Sequence, residues 1–161
     1  MTIREYNKCV EDFSDGVYRF VLKNIRDEEK AKDIVQDSFE KMWVKAGEIS
    51  SEKAKSYLFT TAYRTMIDTL RKDSRQLQME PAHENIITCD NNYSDLKEVL
   101  DEAVEKLPEI QRSVLLLRDY EGYSYEEIGD ITNLNESQVK VYIFRARAFL
   151  KNYIGSLETV I

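Results

Sequence analysis

Two helix-start signals, eleven positions apart in the C-terminal third, limit what this chain can fold into more than any other feature. Ser124-Tyr-Glu-Glu127 puts Ser at a cap and Glu three residues on, the spacing at which each side chain accepts the other's backbone N–H. Asn135 with Gln138 repeats it. Between the two signals there is room for a helix of about two turns, ending near Ile131, and for a short turn, "TNL". Two capped helices so joined are a helix-turn-helix in sequence form. Gly129 falls where the second helix must cross closely, and Leu134 plugs the turn.

The second helix sorts its residues by face. Val139, Ile143, Ala146 and Leu150 advance by four, three and four, which sets them on one buried side. Winding at about 100° per residue then turns Ser137, Lys140, Val141, Phe144, Arg145, Ala148 and Lys151 outward. Val141 and Phe144 do not belong on a solvated face. They suit either packing against a neighbouring domain or a surface that joins cations for phosphates to apolar groups for thymine methyls, which is what reading a major groove needs.

Apolar residues recur at helical spacing along most of the rest, with no period-two strand and no repeat, so the fold class is all-α. Tyr6, Val10 and Phe13, then Val17, Phe20 and Val21, give one or two N-terminal helices, with Asp15-Gly16 as a candidate break. A further helix runs from about 28 to 46 with Ala31, Ile34, Val35, Phe39, Met42 and Trp43 inward, and another from about 53 to 72 with Phe59, Tyr63, Met66 and Leu70 inward. Residues 76–94 lose the period, carry Pro81 and a cluster of Asn and Asp, and read as a flexible linker. The expected division is therefore a helical domain over 1–75, the linker over 76–94, and a helix-turn-helix domain over 95–161. In the last of these, Pro108 opens a helix that Gly122 ends.

Net charge is −7, which argues against indiscriminate binding to a polyanion, but the charge is unevenly placed. From 80 to 109 nine acids face only Lys97 and Lys106, and basic stretches lie on either side, over 53–75 and 140–151. In the first of them Tyr57, Thr61, Arg64, Asp68 and Arg71 share an outward stripe. A ring among arginines suits unpaired bases, although a solvated helix face fits equally well until the second basic patch is considered. Asp33, Gln36, Asp37, Glu40 and Lys41 face outward on the helix before it, as solvent-facing charge or as a docking surface; spacing alone does not decide.

Cys9 and Cys89 read as reduced packing residues, and a single His83 in a polar stretch makes a zinc site implausible. No constellation for catalysis, cofactor or metal is found. No apolar run reaches the roughly 18 residues of a membrane helix, and "MTIREYNKCVEDF" lacks a signal peptide's apolar block, so no membrane insertion and a cytoplasmic location are expected.

Taken together, "EKAKDIVQDSFEKMW", "KSYLFTTAYRTMIDTLRK", "KLPEIQRSVLLLRDYEGYSYEEIGDI" and "VKVYIFRARAFL" resemble, in order and spacing, the bacterial sigma factors of extracytoplasmic-function (ECF) type in the sigma-70 family. The resemblance implies a sigma factor that binds core RNA polymerase and directs promoter-specific transcription initiation. It implies that Asp33, Gln36 and Asp37 contact the polymerase, and that Tyr57, Arg64, Thr65, Asp68, Arg71 and Lys72 engage the minus-10 element as it opens. Lys140, Val141, Phe144 and Arg145 would read the minus-35 element of promoter DNA, with Ser137, Gln138, Tyr142 and Arg147 beside them. An anti-sigma factor is a further expected partner, and no cofactor is. A stand-alone helix-turn-helix regulator is the first rival and a helical adaptor without DNA function the second; the former would bind operator DNA without polymerase.

Overall fold

Helix α1, Ile3–Ile25, opens on a reciprocal cap in which the Thr2 hydroxyl accepts from Glu5 N–H at 3.2 Å and the Glu5 carboxylate accepts from Thr2 N–H at 2.9 Å. The computed structural model describes residues 1–79 and 96–158, all of them in helices and short turns. The helix runs unbroken through Asp15-Gly16. Glycine there costs about 1 kcal/mol relative to alanine, and the space it leaves is used from across the fold: a Cβ at Gly16 would stand 3.2 Å from Glu121 Oε2. Arg26, with φ 63°, ends the helix by donating its N–H to Leu22 O, and Asp27 caps α2, Glu28–Val44, through the N–H groups of Glu29 and Lys30. A 3₁₀ turn at Ser51–Lys53 leads into α3, Ala54–Met79, which continues four residues past the expected boundary at 75.

These three helices pack on one another through Val17, Phe20, Val21, Ala31, Ile34, Met42 and Met66, all buried. The inward face expected for α2 departs at its end, where Trp43 is 50% exposed and packs edge-on against Tyr6 at 4.9 Å. Buried Ser38 takes an inward place instead, its hydroxyl donating to Ile34 O at 2.7 Å. On α3, Phe59 and Met66 are buried and Tyr63 and Leu70 half-buried as the spacing predicts, but Leu58, Ala62 and Ile67 are buried too. The helix is covered on two sides, by α1 and α2 and by the C-terminal region.

That region begins with α4, Leu96–Glu105, and α5, Glu109–Leu115, which widens into a π-helical turn at Leu116–Tyr120 and stops at Gly122 with φ 76°. A capping box at Ser124 and Glu127 starts α6, Tyr125–Thr132, and α7 covers Glu136–Glu158. Residues 80–95, with Cys89, His83 and most of the expected linker, lie outside the described residues. Cys9 is a buried free thiol. No helix among the described residues is long and apolar enough to cross a membrane.

The two helical regions share one continuous core. Phe59 of α3 meets Tyr123 edge to face at 5.0 Å. Around this apolar contact lies a rim of polar ones. Asn24 Oδ1, at the end of α1, accepts from Arg112 Nε at 2.9 Å and from Ser113 Oγ at 3.3 Å, and burial pulls the Arg112 guanidinium below its ordinary pKa. Arg19 grips Glu121 with two bonds of 2.8 and 2.9 Å, Lys23 lies 3.6 Å from Asp101, and Arg26 lies 3.4 Å from Glu105.

Candidate nucleic-acid interface

The orientation of α7 is set by the turn before it. Asn133 takes the left-handed conformation, φ 60°, and Leu134 N–H returns to Gly129 O at 3.0 Å. A Cβ at Gly129 would stand 2.6 Å from the Leu134 carbonyl oxygen, so only glycine lets the turn close. Asn135 and Gln138 then exchange side-chain and backbone bonds of 2.8 and 3.0 Å, as the sequence signal predicts.

With Val139, Ile143 and Ala146 buried and Leu150 half-buried, the opposite face of α7 is presented to solvent. Phe144 is 74% exposed, Val141 is exposed beside it, and Ser137, Lys140 and Arg145 complete the surface. Lys140 leans back to Glu136 at 3.3 Å and lies 5.5 Å from the Tyr125 ring centre, so the acid that opens the helix partly balances it. Arg145 has no carboxylate within ion-pair distance among the described residues. The other three expected DNA residues are engaged within the fold: Gln138 in the cap, Tyr142 half-buried against the core, and Arg147 on Asp119 at 2.6 Å, a bond that raises its pKa.

On α3, Arg64, Asp68, Arg71 and Lys72 are exposed along one side, while Tyr57 is half-buried with its ring against the core. Thr65 is half-buried and its hydroxyl donates to Thr61 O at 2.9 Å. Tyr63, one position before Arg64, has its pKa pushed up to about 12, first by burial and then by Glu109, with Arg71 acting in the opposite direction. The outer side of α2 carries Asp33 and Gln36, both exposed, and Asp37, half-buried and paired with Lys41 at 2.9 Å. Gln36 donates to Glu40 at 3.5 Å.

Sequence reasoning passed over the cations of α1. Their signal was present: Gly16 to Arg26 holds no acid, and Arg19, Lys23 and Arg26 recur at steps of four and three. Their partners, 78 to 102 positions away, gave no local sign.

A helix-turn-helix with a basic and aromatic outer face, attached to a second helical region that carries its own cationic stripe, defines a DNA-binding protein of two parts. Comparison with known families assigns those parts. Residues 9–76 match the model of sigma-70 region 2 and residues 97–150 that of sigma-70 region 4. The chain is 29% identical over 156 residues to the ECF RNA polymerase sigma factor SigM of Bacillus subtilis, covering 94% of each, and 29% identical to SigV of the same organism over 89% of this chain and 87% of that one. The sigma factor RpoE of Bartonella quintana, solved in complex with the anti-sigma factor NepR, superposes with a TM-score of 0.78 at 23% identity, over 95% of this chain and 98% of that one. CnrH, solved with the cytosolic domain of CnrY, gives 0.70 at 18% identity, over 96% and 90%.

The chain belongs to the ECF sigma factors of the sigma-70 family and directs promoter-specific transcription initiation by RNA polymerase. With both region 2 and region 4 present, the stand-alone regulator is not favoured.

Proposed function

We propose that the outward side of α2 around Asp33, Gln36 and Asp37 docks on core polymerase, that α7 reads the minus-35 element, and that α3 engages the minus-10 element as it melts. The minus-35 readers are Lys140, Val141, Phe144 and Arg145, backed by Ser137, Gln138, Tyr142 and Arg147; the minus-10 set is Tyr57, Arg64, Thr65, Asp68, Arg71 and Lys72. The observation that carries this is the solvent-facing pair Val141 and Phe144 between Lys140 and Arg145, on a helix whose other side is packed. The factor works in the cytoplasm, without a catalytic centre of its own. An anti-sigma partner is supported by the two similar structures, RpoE solved with NepR and CnrH with CnrY.

This reading requires the two regions, 1–75 and 95–161 with 76–94 as linker, to part. Elements named for positions 35 and 10 are centred about 25 base pairs apart, about 85 Å at about 3.4 Å per base pair. A compact chain of 161 residues has a radius of gyration of about 15 Å and is roughly 40 Å across. The closed arrangement cannot reach both elements. Run-off transcription with core polymerase on genomic fragments tests the function: starts at defined promoters are expected only when this protein is added, and their failure to appear with a competent core across salt conditions would refute it.

A further inference from the structure

We infer that the C-terminal half of α1 is a binding strip for DNA phosphates, and that in the closed arrangement the carboxylates of the C-terminal region occupy it. This rests on the reading of the chain as a sigma factor whose two regions part on the promoter.

The strip consists of Arg19 and Lys23, one turn apart on the same side of α1, and of Arg26, the left-handed cap residue just past its end. The nearest acid of its own helix is Asp15, one turn before Arg19, whose charge contributes to raising the Arg19 pKa after Glu121 itself. Among the described residues, every ion-pair partner of the three comes from the other region: Glu121, Asp101 and Glu105. Lys23 also lies over the Tyr120 ring at 4.2 Å, another contact across the boundary. Lys55 adds a fourth cation nearby, one turn before Phe59 on α3 and 4.2 Å over the Tyr123 ring.

The place where Glu121 sits is shaped for an anion. Its carboxylate lies in a notch that Gly16 leaves open, with a position for Cβ only 3.2 Å from Oε2 and 3.6 Å from the edge of Phe59. The Arg19 fork closes it with two parallel bonds. The Glu121 side chain is 7% exposed while Arg19 remains half open to solvent. A glycine floor, an aromatic wall and a two-pronged guanidinium accept two oxygens of a phosphate as they accept those of a carboxylate. The notch itself belongs wholly to the N-terminal region, through Gly16, Arg19 and Phe59. When the regions part, it and the cations beside it lose their intramolecular anions. The polyanion then held against this protein by the polymerase is promoter DNA.

The test uses full-length protein assembled with core polymerase and titrated with salt on a promoter fragment. Removing the three cations, Arg19→Gln with Lys23→Gln and Arg26→Gln, is expected to weaken promoter binding and flatten its salt dependence, by about 0.9 in log–log slope for each phosphate that is no longer neutralised. Removing the acids, Glu121→Gln with Asp101→Asn and Glu105→Gln, is expected to raise the affinity of the free protein for the same fragment and steepen the slope. If the cations serve only to clasp the two regions, the first variant binds the promoter unchanged or better, which overturns the inference. Loss of core binding by that variant, measured separately by anisotropy, would give the strip to polymerase and overturn it as well. Should the triple variant not fold, Arg26→Gln alone, at a side chain 43% exposed, should still lower the slope by about 0.9, the share of one phosphate. Wild-type protein that starts no transcription would instead refute the proposed function, so the two failures are distinguishable.

Discussion

The ring of Tyr123 meets that of Phe59 edge to face at 5.0 Å, yet its buried hydroxyl has no hydrogen-bond partner among the described residues. The contact that joins the two regions therefore combines apolar packing with an unsatisfied donor, whose burial costs about 1–3 kcal/mol. Tyr123→Phe keeps the ring and removes the orphan. Denaturant unfolding should show stability raised by about 1 kcal/mol; a decrease of that size would mean that the hydroxyl is satisfied in solution.

Burial also makes the closed fold sensitive to alkali. It raises the Tyr123 phenol, with Glu121 and Glu127 adding to it, and with Glu109 it pushes Tyr63 up to about 12. In the unfolded chain both ionise near the ordinary value of 10.0. Above that pH the unfolded state loses its protons first, so stability is intact below about 10 and falls as pH rises through the folded values, by up to about 1.4 kcal/mol per pH unit for each ring. Unfolding midpoints at about pH 9 and about pH 11 should therefore differ, and Tyr63→Phe should shrink the difference. An unchanged difference would show that the ring is hydrated.

Local signals in the sequence foretold local structure well and distant contacts poorly. The caps at Ser124 and Asn135, the glycine at 129 and the inward row on α7 were all legible, because each is decided within a turn or two of helix. On α3 the period gave one buried side, but Leu58, Ala62 and Ile67 are buried as well, since a helix sandwiched between two neighbours hides more than a single stripe. Similarly, nothing near Arg147 announced Asp119, and nothing near Arg19 announced Glu121. Gln138 was readable both as a cap and as a DNA contact; its bond to Asn135 N–H shows the first use, and spacing gave the second no separate mark.

The turn between α6 and α7 has no spare volume. With the Leu134 carbonyl only 2.6 Å from a Cβ at position 129, Gly129→Ala forces backbone to move, not the tip of a side chain. Overpacking of this kind costs about 1–3 kcal/mol. Thermal unfolding of the variant should show that cost, and its binding to a minus-35 fragment with core polymerase should fall further than stability alone explains, since α7 would be tilted. Wild-type stability would mean that the turn has another way to close.

Neighbouring residues on α7 separate folding from reading. Ile143 is buried and Phe144 is 74% exposed, so one step along the helix exchanges core for surface. Ile143→Ala should cost about 2–5 kcal/mol of stability, as truncation of a packed side chain does. Phe144→Ala should leave stability within about 0.5 kcal/mol, because the ring has little to lose inside the protein. If the ring reads a base edge, the same change should cost the holoenzyme about 1–3 kcal/mol on its preferred minus-35 sequence and nothing on unrelated duplex. Arg145→Ala distinguishes the two ways a cation on that face can bind DNA: a loss confined to one base position marks base reading, whereas a uniform loss with a lower salt slope marks a phosphate. Equal binding by wild type and Phe144→Ala on every sequence would leave the exposed ring without a part in promoter choice, and would transfer the reading to Lys140, Val141 and Arg145.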